Sequence, residues 1–325
     1  MTDLLILIRV FHFASTISVV GATFFALIIA EPALRATNAQ HDVAALARCR
    51  FSRIIWISLV AAAISGAGWL ILLARQLSGL PMEAVLFDGP LWNVLVQTDF
   101  GQAWTARFAL AVLFAAVFGF YEFRQWPHSC WGDGLMVLLA AGLVGTLALA
   151  GHAAANMDSD IKGMIHIVAD TFHLIAAAAW VGALVPFAVL LRTVSDNQTS
   201  IAVARFATSR FSVLGVASVG IIVMTGVFNS WILTGSVHAL IATEYGQLLL
   251  LKIALFLVMV LVAAINRLRF TPRLLQDLEY ASAQNASRQL RRNATIEAMI
   301  GIIILVIVAI LGIMSPEIPE MDNNQ

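Results

Sequence analysis

Residues 164–191 read MIHIVADTFHLIAAAAWVGALVPFAVLL, and this stretch decides the fold. It is long and apolar enough to cross a bilayer as one helix, yet it carries His166, Asp170 and His173. Positions i, i+4 and i+7 fall on one helix face, so these three side chains share a face with Trp180, two turns further on. At a rise of about 1.5 Å per residue, His166 and His173 stand roughly 10 Å apart in depth. Ionisable groups inside a membrane span are costly and normally face a protein interior or a pathway. The run therefore predicts a membrane helix whose polar face is turned towards other helices.

The rest of the chain fits that reading. Of its 325 residues, 60% are hydrophobic and only 12% charged, about half the charged fraction of a soluble domain. Eight stretches reach the roughly 20 residues needed to span a hydrocarbon core: 4–30, 52–75, 102–122, 131–150, 164–191, 211–233, 246–266 and 295–314. The expected fold class is an all-α polytopic membrane protein with eight transmembrane helices in two parallel four-helix repeats. Charge is sorted by side although the net charge is zero. Fourteen of the 19 Lys and Arg residues lie near 31–53, at Arg124, and near 192–210 and 267–292. By the positive-inside rule these loops are cytoplasmic, which puts both termini in the periplasm of a bacterial inner membrane. The first span lacks the basic n-region of a cleaved signal peptide. Cys49 and Cys130 fall at cytoplasmic span ends, outside any CxxC pair, where a disulfide is not expected.

An internal repeat organises the spans. Phe11-His12 and Val20-Gly21-Ala22 return as Phe172-His173 and Val181-Gly182-Ala183 at an offset of 161. Arg50-Phe51-Ser52 and Ser65-Gly66 return as Arg210-Phe211-Ser212 and Thr225-Gly226 at 160. Thr98-Asp99-Phe100-Gly101-Gln102 and Arg107 return as Thr243-Glu244-Tyr245-Gly246-Gln247 and Lys252 at 145, the loop near 76–101 being longer than its counterpart. Residues 1–150 and 151–325 then form two four-helix units of equal orientation. Such parallel repeats are related by an axis along the membrane normal, and their interface is a common place for a transporter site. His12 becomes the equivalent of His173, Arg107 of Lys252, and Arg9 of Asp170.

Single elements carry further expectations. Arg9 is expected to snorkel outward. The segment near 76–101 reads as short amphipathic helices on the membrane surface. Asp99 is a candidate helix cap, and Asp99 and Glu244 are candidate partners of Arg107 and Lys252. Pro186 is expected to kink its span. The 267–294 loop is basic and polar, with an amphipathic cytoplasmic helix, and the last span reads as a packing helix after Glu297. His41 and His128 read as solvated bystanders.

The outer half of the bundle thus gathers His12, His152, His166, Asp170 and His173 as candidate metal ligands. Imidazole suits copper, zinc, iron and nickel, and histidines with a carboxylate suit Cu(II) or Zn(II). Taken singly, each histidine is better read as an interhelical hydrogen-bond donor. Four on one side of the membrane favour a metal or haem site. The chain has no HExxH, nucleophile elbow, phosphate loop or dinucleotide fingerprint, and nothing points to nucleic acid. It reads as a binding or transport protein before an enzyme.

The run Ile165–His173 with Trp180-Val181-Gly182, together with Gly151-His152 and Thr98–Gly101, resembles the copper-resistance protein D (CopD) family over nearly the whole chain. The resemblance implies an inner-membrane protein of copper homeostasis that accepts copper from a periplasmic carrier of the CopC type and moves it inward. On that reading His12, His152, His166 and His173 are ligands. Asp170 is a ligand or fixes a histidine tautomer. The repeated Phe-His and Val-Gly pattern is also similar to the haem-binding first helix of HemJ-type protoporphyrinogen oxidases. The alternative it implies is a b-type haem protein, with His12 and His173 as axial ligands, that transfers electrons or reduces periplasmic copper.

Overall fold

In the computed structural model, residues 2–124, 130–150, 161–193, 198–234, 237–276 and 280–314 are described. They are almost wholly helical, with no strand among them. Helix α1 (Thr2–Phe24) passes through a π-helical turn (Phe25–Ala30) into α2 (Glu31–Ala36). Next come α3 (His41–Ser78), two short helices α4 (Met82–Phe87) and α5 (Pro90–Gln97), α6 (Asp99–Arg124) and α7 (Cys130–Gly145). Beyond residue 160 lie α8 (Ile161–Val181), α9 (Leu184–Thr193), α10 (Gln198–Thr234), the short α11 (Val237–Ala242) and α12 (Glu244–Ile265). A second π turn (Asn266–Phe270) leads to α13 (Thr271–Gln276), and α14 (Tyr280–Leu311) closes the chain. This is an all-α polytopic membrane protein.

Seven helical segments among the described residues are long and apolar enough to cross a membrane. The expected span over 131–150 is shorter than the others. Among the described residues helix α7 covers 16, about 24 Å, against a core of about 30 Å. It stops because Thr146 turns its hydroxyl back onto the Leu143 carbonyl at 2.7 Å and gives its own carbonyl to Arg107. Elsewhere the helices overrun the expected spans. The basic connector over 31–53 shrinks to Thr37–Gln40 because α2 and α3 continue into it, and much of 267–294 likewise belongs to α13 and α14.

The fifth span breaks at Gly182-Ala183, just ahead of Pro186, which has no N–H to give back to the preceding turn. Packing also needs Gly182. A Cβ at Gly21 would lie 2.1 Å from the Gly182 carbonyl carbon, and one at Gly182 would lie 2.2 Å from the Ile17 carbonyl oxygen. Helices α1 and α8 therefore cross backbone to backbone at two glycines 161 residues apart, an approach only small residues permit. Around this crossing α7 packs on α8 and α14 packs on α1. Within each half, α1 packs on α3 and α8 packs on α10.

The Thr-acid-aromatic-Gly-Gln segments are two copies of one joint. Thr98 and Thr243 each accept the N–H of the glycine three residues on at 3.0 Å. Their hydroxyls donate back to Val94 and Ala239 at 2.6 and 2.8 Å. The cap is thus the threonine and not Asp99. Gly101 and Gly246 are required because a Cβ would strike the backbone of the preceding short helix. Helices α4 and α5 are amphipathic as expected, burying Val85 and Val94 and exposing Phe87 and Trp92.

Candidate metal centre

Two polar clusters form around repeat-equivalent histidines, His12 and His173. In the first, His12 on α1 is 2% exposed. Its Nδ1–H donates to the Ala62 carbonyl of α3 at 3.0 Å, with Ser65 Oγ 3.4 Å away. That bond leaves the lone pair on Nε2, and Nε2 faces Arg107 Nη1 at 3.5 Å. Arg107, equally buried, is anchored by Thr146 through Nε (3.0 Å, hydroxyl) and Nη2 (2.5 Å, carbonyl). The indoles of Trp104 and Trp69 flank the imidazole with centroids 5.0 and 5.7 Å away. The Arg107 guanidinium lies 4.4 Å over Trp104, and that of Arg9 lies 4.7 Å over Trp69. Gly66 leaves the space, since a Cβ there would sit 2.7 Å from Trp104.

Arg9 does not snorkel. It is 9% exposed and donates to the Gly312 carbonyl at the end of α14 at 2.9 Å. Two cations and two indoles thus seal His12. Cation–π contact lowers the cost of keeping guanidinium groups there, and the result is a positive, closed box.

In the second pocket, His173 on α8 brings Nδ1 to Thr225 Oγ1 at 3.0 Å. Thr225 spends its own proton on the Ile221 carbonyl at 2.6 Å, so its oxygen accepts from Nδ1–H. The Ile222 carbonyl, which corresponds to Ala62, also bonds the ring. Again Nε2 keeps the lone pair, and Lys252, the repeat counterpart of Arg107, lies within electrostatic reach of the ring. From there the pockets diverge. Where the first has Arg9 stacked on Trp69, the second has Asp170 accepting from Asn229 Nδ2 at 3.3 Å. Lys252 and Tyr245 both lie within electrostatic reach of Asp170. Leu249 stands where Trp104 stands in the first half. His173, Asp170 and Lys252 are only half-buried. His166, one turn before Asp170 on the same face, is 3% exposed.

The five candidate ligands therefore divide. His166, Asp170 and His173 lie along one face of α8, as their spacing predicts. His12 lies in the other pocket, facing α3. His152 falls outside the described residues. No three His, Cys, Asp or Glu residues among the described residues gather tightly enough to hold one metal ion. The α8 groups are successive positions along a face. Arg107 bonds within its pocket, and no bond links it to Asp99 among the described residues.

Comparison with known proteins supplies the frame. Residues 1–163 match the family described as copper resistance protein D-like, N-terminal domain, and residues 205–311 match copper resistance protein D. The chain is 35% identical over 254 residues to copper resistance protein D of Pseudomonas syringae pv. tomato, covering 76% of this chain and 78% of that one. The chain belongs to the copper resistance protein D family. Within reach of this family are inner membrane protein YebZ of Escherichia coli K12, 28% identical over 96% of this chain and 98% of that protein. Copper transport protein CutJ of Bacillus subtilis 168 is 31% identical over 55% of this chain and 32% of its own length. No solved structure matches. The two family matches leave residues 164–204, which include the α8 face, uncovered.

The sequence reading missed one polar system. Asn266, Asn293 and Glu297 bond to one another in the last two spans. A signal was present in the polar residues Gln289, Asn293 and Glu297 at a spacing of four.

Proposed function

We propose that this protein resides in the bacterial inner membrane with both termini periplasmic. It accepts copper on the periplasmic side from a carrier of the CopC type and moves it inward. Residues 1–150 and 151–325 act as two parallel four-helix units. Matching contacts at Thr98 and Thr243, at His12 and His173, and at Gly21 against Gly182 support that division.

The observation that carries the reading is the α8 face. A carboxylate and two imidazoles line one side of a membrane-length helix, and Asp170 and His173 are less fully buried than His12. Copper is cargo here. His166, Asp170 and His173 offer it nitrogen and oxygen donors in sequence, with His152 preceding them in the chain. Thr225 fixes the His173 tautomer that leaves Nε2 as donor. His12, the repeat-related imidazole, is enclosed by Arg107 and the two indoles and stands outside this set. A haem held by His12 and His173 draws no support from this arrangement, because each ring faces the second helix of its own half.

The test is radioactive copper uptake into proteoliposomes containing the purified protein. Wild type is expected to accumulate copper, and His173→Ala and Asp170→Asn to lose most of that uptake. Wild-type vesicles no faster than empty ones would end the proposal. A Soret band in the same preparation would instead favour the haem protein.

A further inference from the structure

Gly312, which holds Arg9 at the histidine end, lies fifteen residues beyond Glu297 on α14, about 22 Å along the helix. Glu297 thus sits towards the opposite end of the bundle. It is 2% exposed within a membrane-length helix. Its Oε1 accepts from Asn266 Nδ2 at 2.7 Å. Asn266 in turn accepts from Asn293 at 2.6 Å, and Asn293 from Gln289 at 3.1 Å. Every amide in this chain donates towards the carboxylate, and none of them brings a formal charge. Asn266 opens a π-helical turn, an irregularity often kept at functional positions.

Glu297 and Asn266 also line a half-open cavity of about 190 Å3. On its far wall is Thr208, 3% exposed, whose Oγ1 is buried without a hydrogen-bond partner. A threonine inside a helix usually gives its hydroxyl to the preceding turn, as Thr225 does. Thr208 does not, and it faces a space many times the roughly 15 Å3 a water needs. Arg267 is the other charged group of the wall, and its Nη1 is engaged with the Ser212 hydroxyl at 2.7 Å and carbonyl at 3.2 Å. The cavity therefore offers a carboxylate and a hydroxyl to something positive and small. Glu297 and Thr208 both offer oxygen, which suits hard cations and not copper(I).

We propose that this cavity is a binding site for one hard monovalent cation, a proton or a sodium ion, held by Glu297 and Thr208. The site lies apart from the copper reading and needs none of its residues. Trp180 lines the same cavity. It stands on the α8 face seven residues beyond His173, so one helix borders both places.

The experiment is thermal unfolding of the purified full chain in detergent, in two series. In one, sodium replaces choline at fixed pH and ionic strength. In the other, pH is lowered in choline alone. A folded state that binds the cation is stabilised as its concentration rises. Wild type should gain a few degrees in one series, while Glu297→Gln, of the same shape without the charge, stays flat in that series. A gain with sodium identifies sodium, and a gain only on acidification identifies the proton. Thr208→Val should show a reduced slope. The proposal is overturned if wild type and Glu297→Gln move in parallel in both series, or if wild type responds in neither. Should Glu297→Gln fail to accumulate, a Thr208→Val slope equal to wild type is equally decisive against it.

Discussion

The pockets around His12 and His173 start from the same joint and end as different chemistry. Both rings are held through Nδ1 by the neighbouring helix, and both lie within electrostatic reach of a basic residue. In the first half Arg9, Trp69 and Trp104 complete the wall, and His12 is sealed with two guanidinium groups. In the second half the corresponding residues are Asp170, Asn229 and Leu249, and His173 is half-buried beside a carboxylate. The two pockets thus share a hydrogen-bonding skeleton and differ in their filling. A cation is repelled by the first pocket and has a carboxylate to meet in the second.

The sharpest way to break the contrast is to weigh the two pockets by copper uptake. Asp170→Asn and His173→Ala should each lower it about tenfold or more, a size common when a metal's ligands or their supports are lost. His12→Ala should leave uptake per folded molecule within about twofold while reducing stability. Equal losses from both pockets would dissolve the distinction.

A second test removes the seam between the halves. Gly21→Val places carbon atoms where the Gly182 backbone runs. It should cost about 3 kcal/mol or more by denaturant unfolding, as severe overpacking does. A third converts one pocket towards the other. Trp69→Asn removes a buried indole and should cost about 3 kcal/mol. It should also loosen Arg9, seen as faster proteolysis near the Gly312 end of α14. The smallest effect is expected from Thr98→Ala and Thr243→Ala, each losing a helix cap worth about 1 kcal/mol. Equal shifts in melting temperature for the two would show that the joints remain interchangeable.

How much of this was readable beforehand depended on distance along the chain. The α8 face follows from a spacing of four and then three residues, which any helix converts into adjacency, so His166, Asp170 and His173 were found. The matching of His12 to His173 was equally plain from Phe-His and Val-Gly. That the two rings occupy separate pockets was not, because it depends on which helix each ring meets. Arg9 illustrates the same limit. Near a helix start, an arginine is ordinarily expected in the headgroups, and only tertiary packing brings the Gly312 carbonyl and Trp69 to it. Helix ends were misjudged because polar residues such as Arg48 continue a helix beyond the apolar run. Arg48 does so while pairing with buried Glu31 at 2.8 Å, which Arg35 also holds. The short α7 reflects a bond between Thr146 and Arg107, 39 residues apart.

Gly21 and Gly182 touch without any side chain between them. Such a contact has no rotamers to repack, so sliding or separating the helices loses it, whereas changing their angle does not. Gly21 and Gly182 therefore fix where the two helices meet, and any wider residue at either position must part them there.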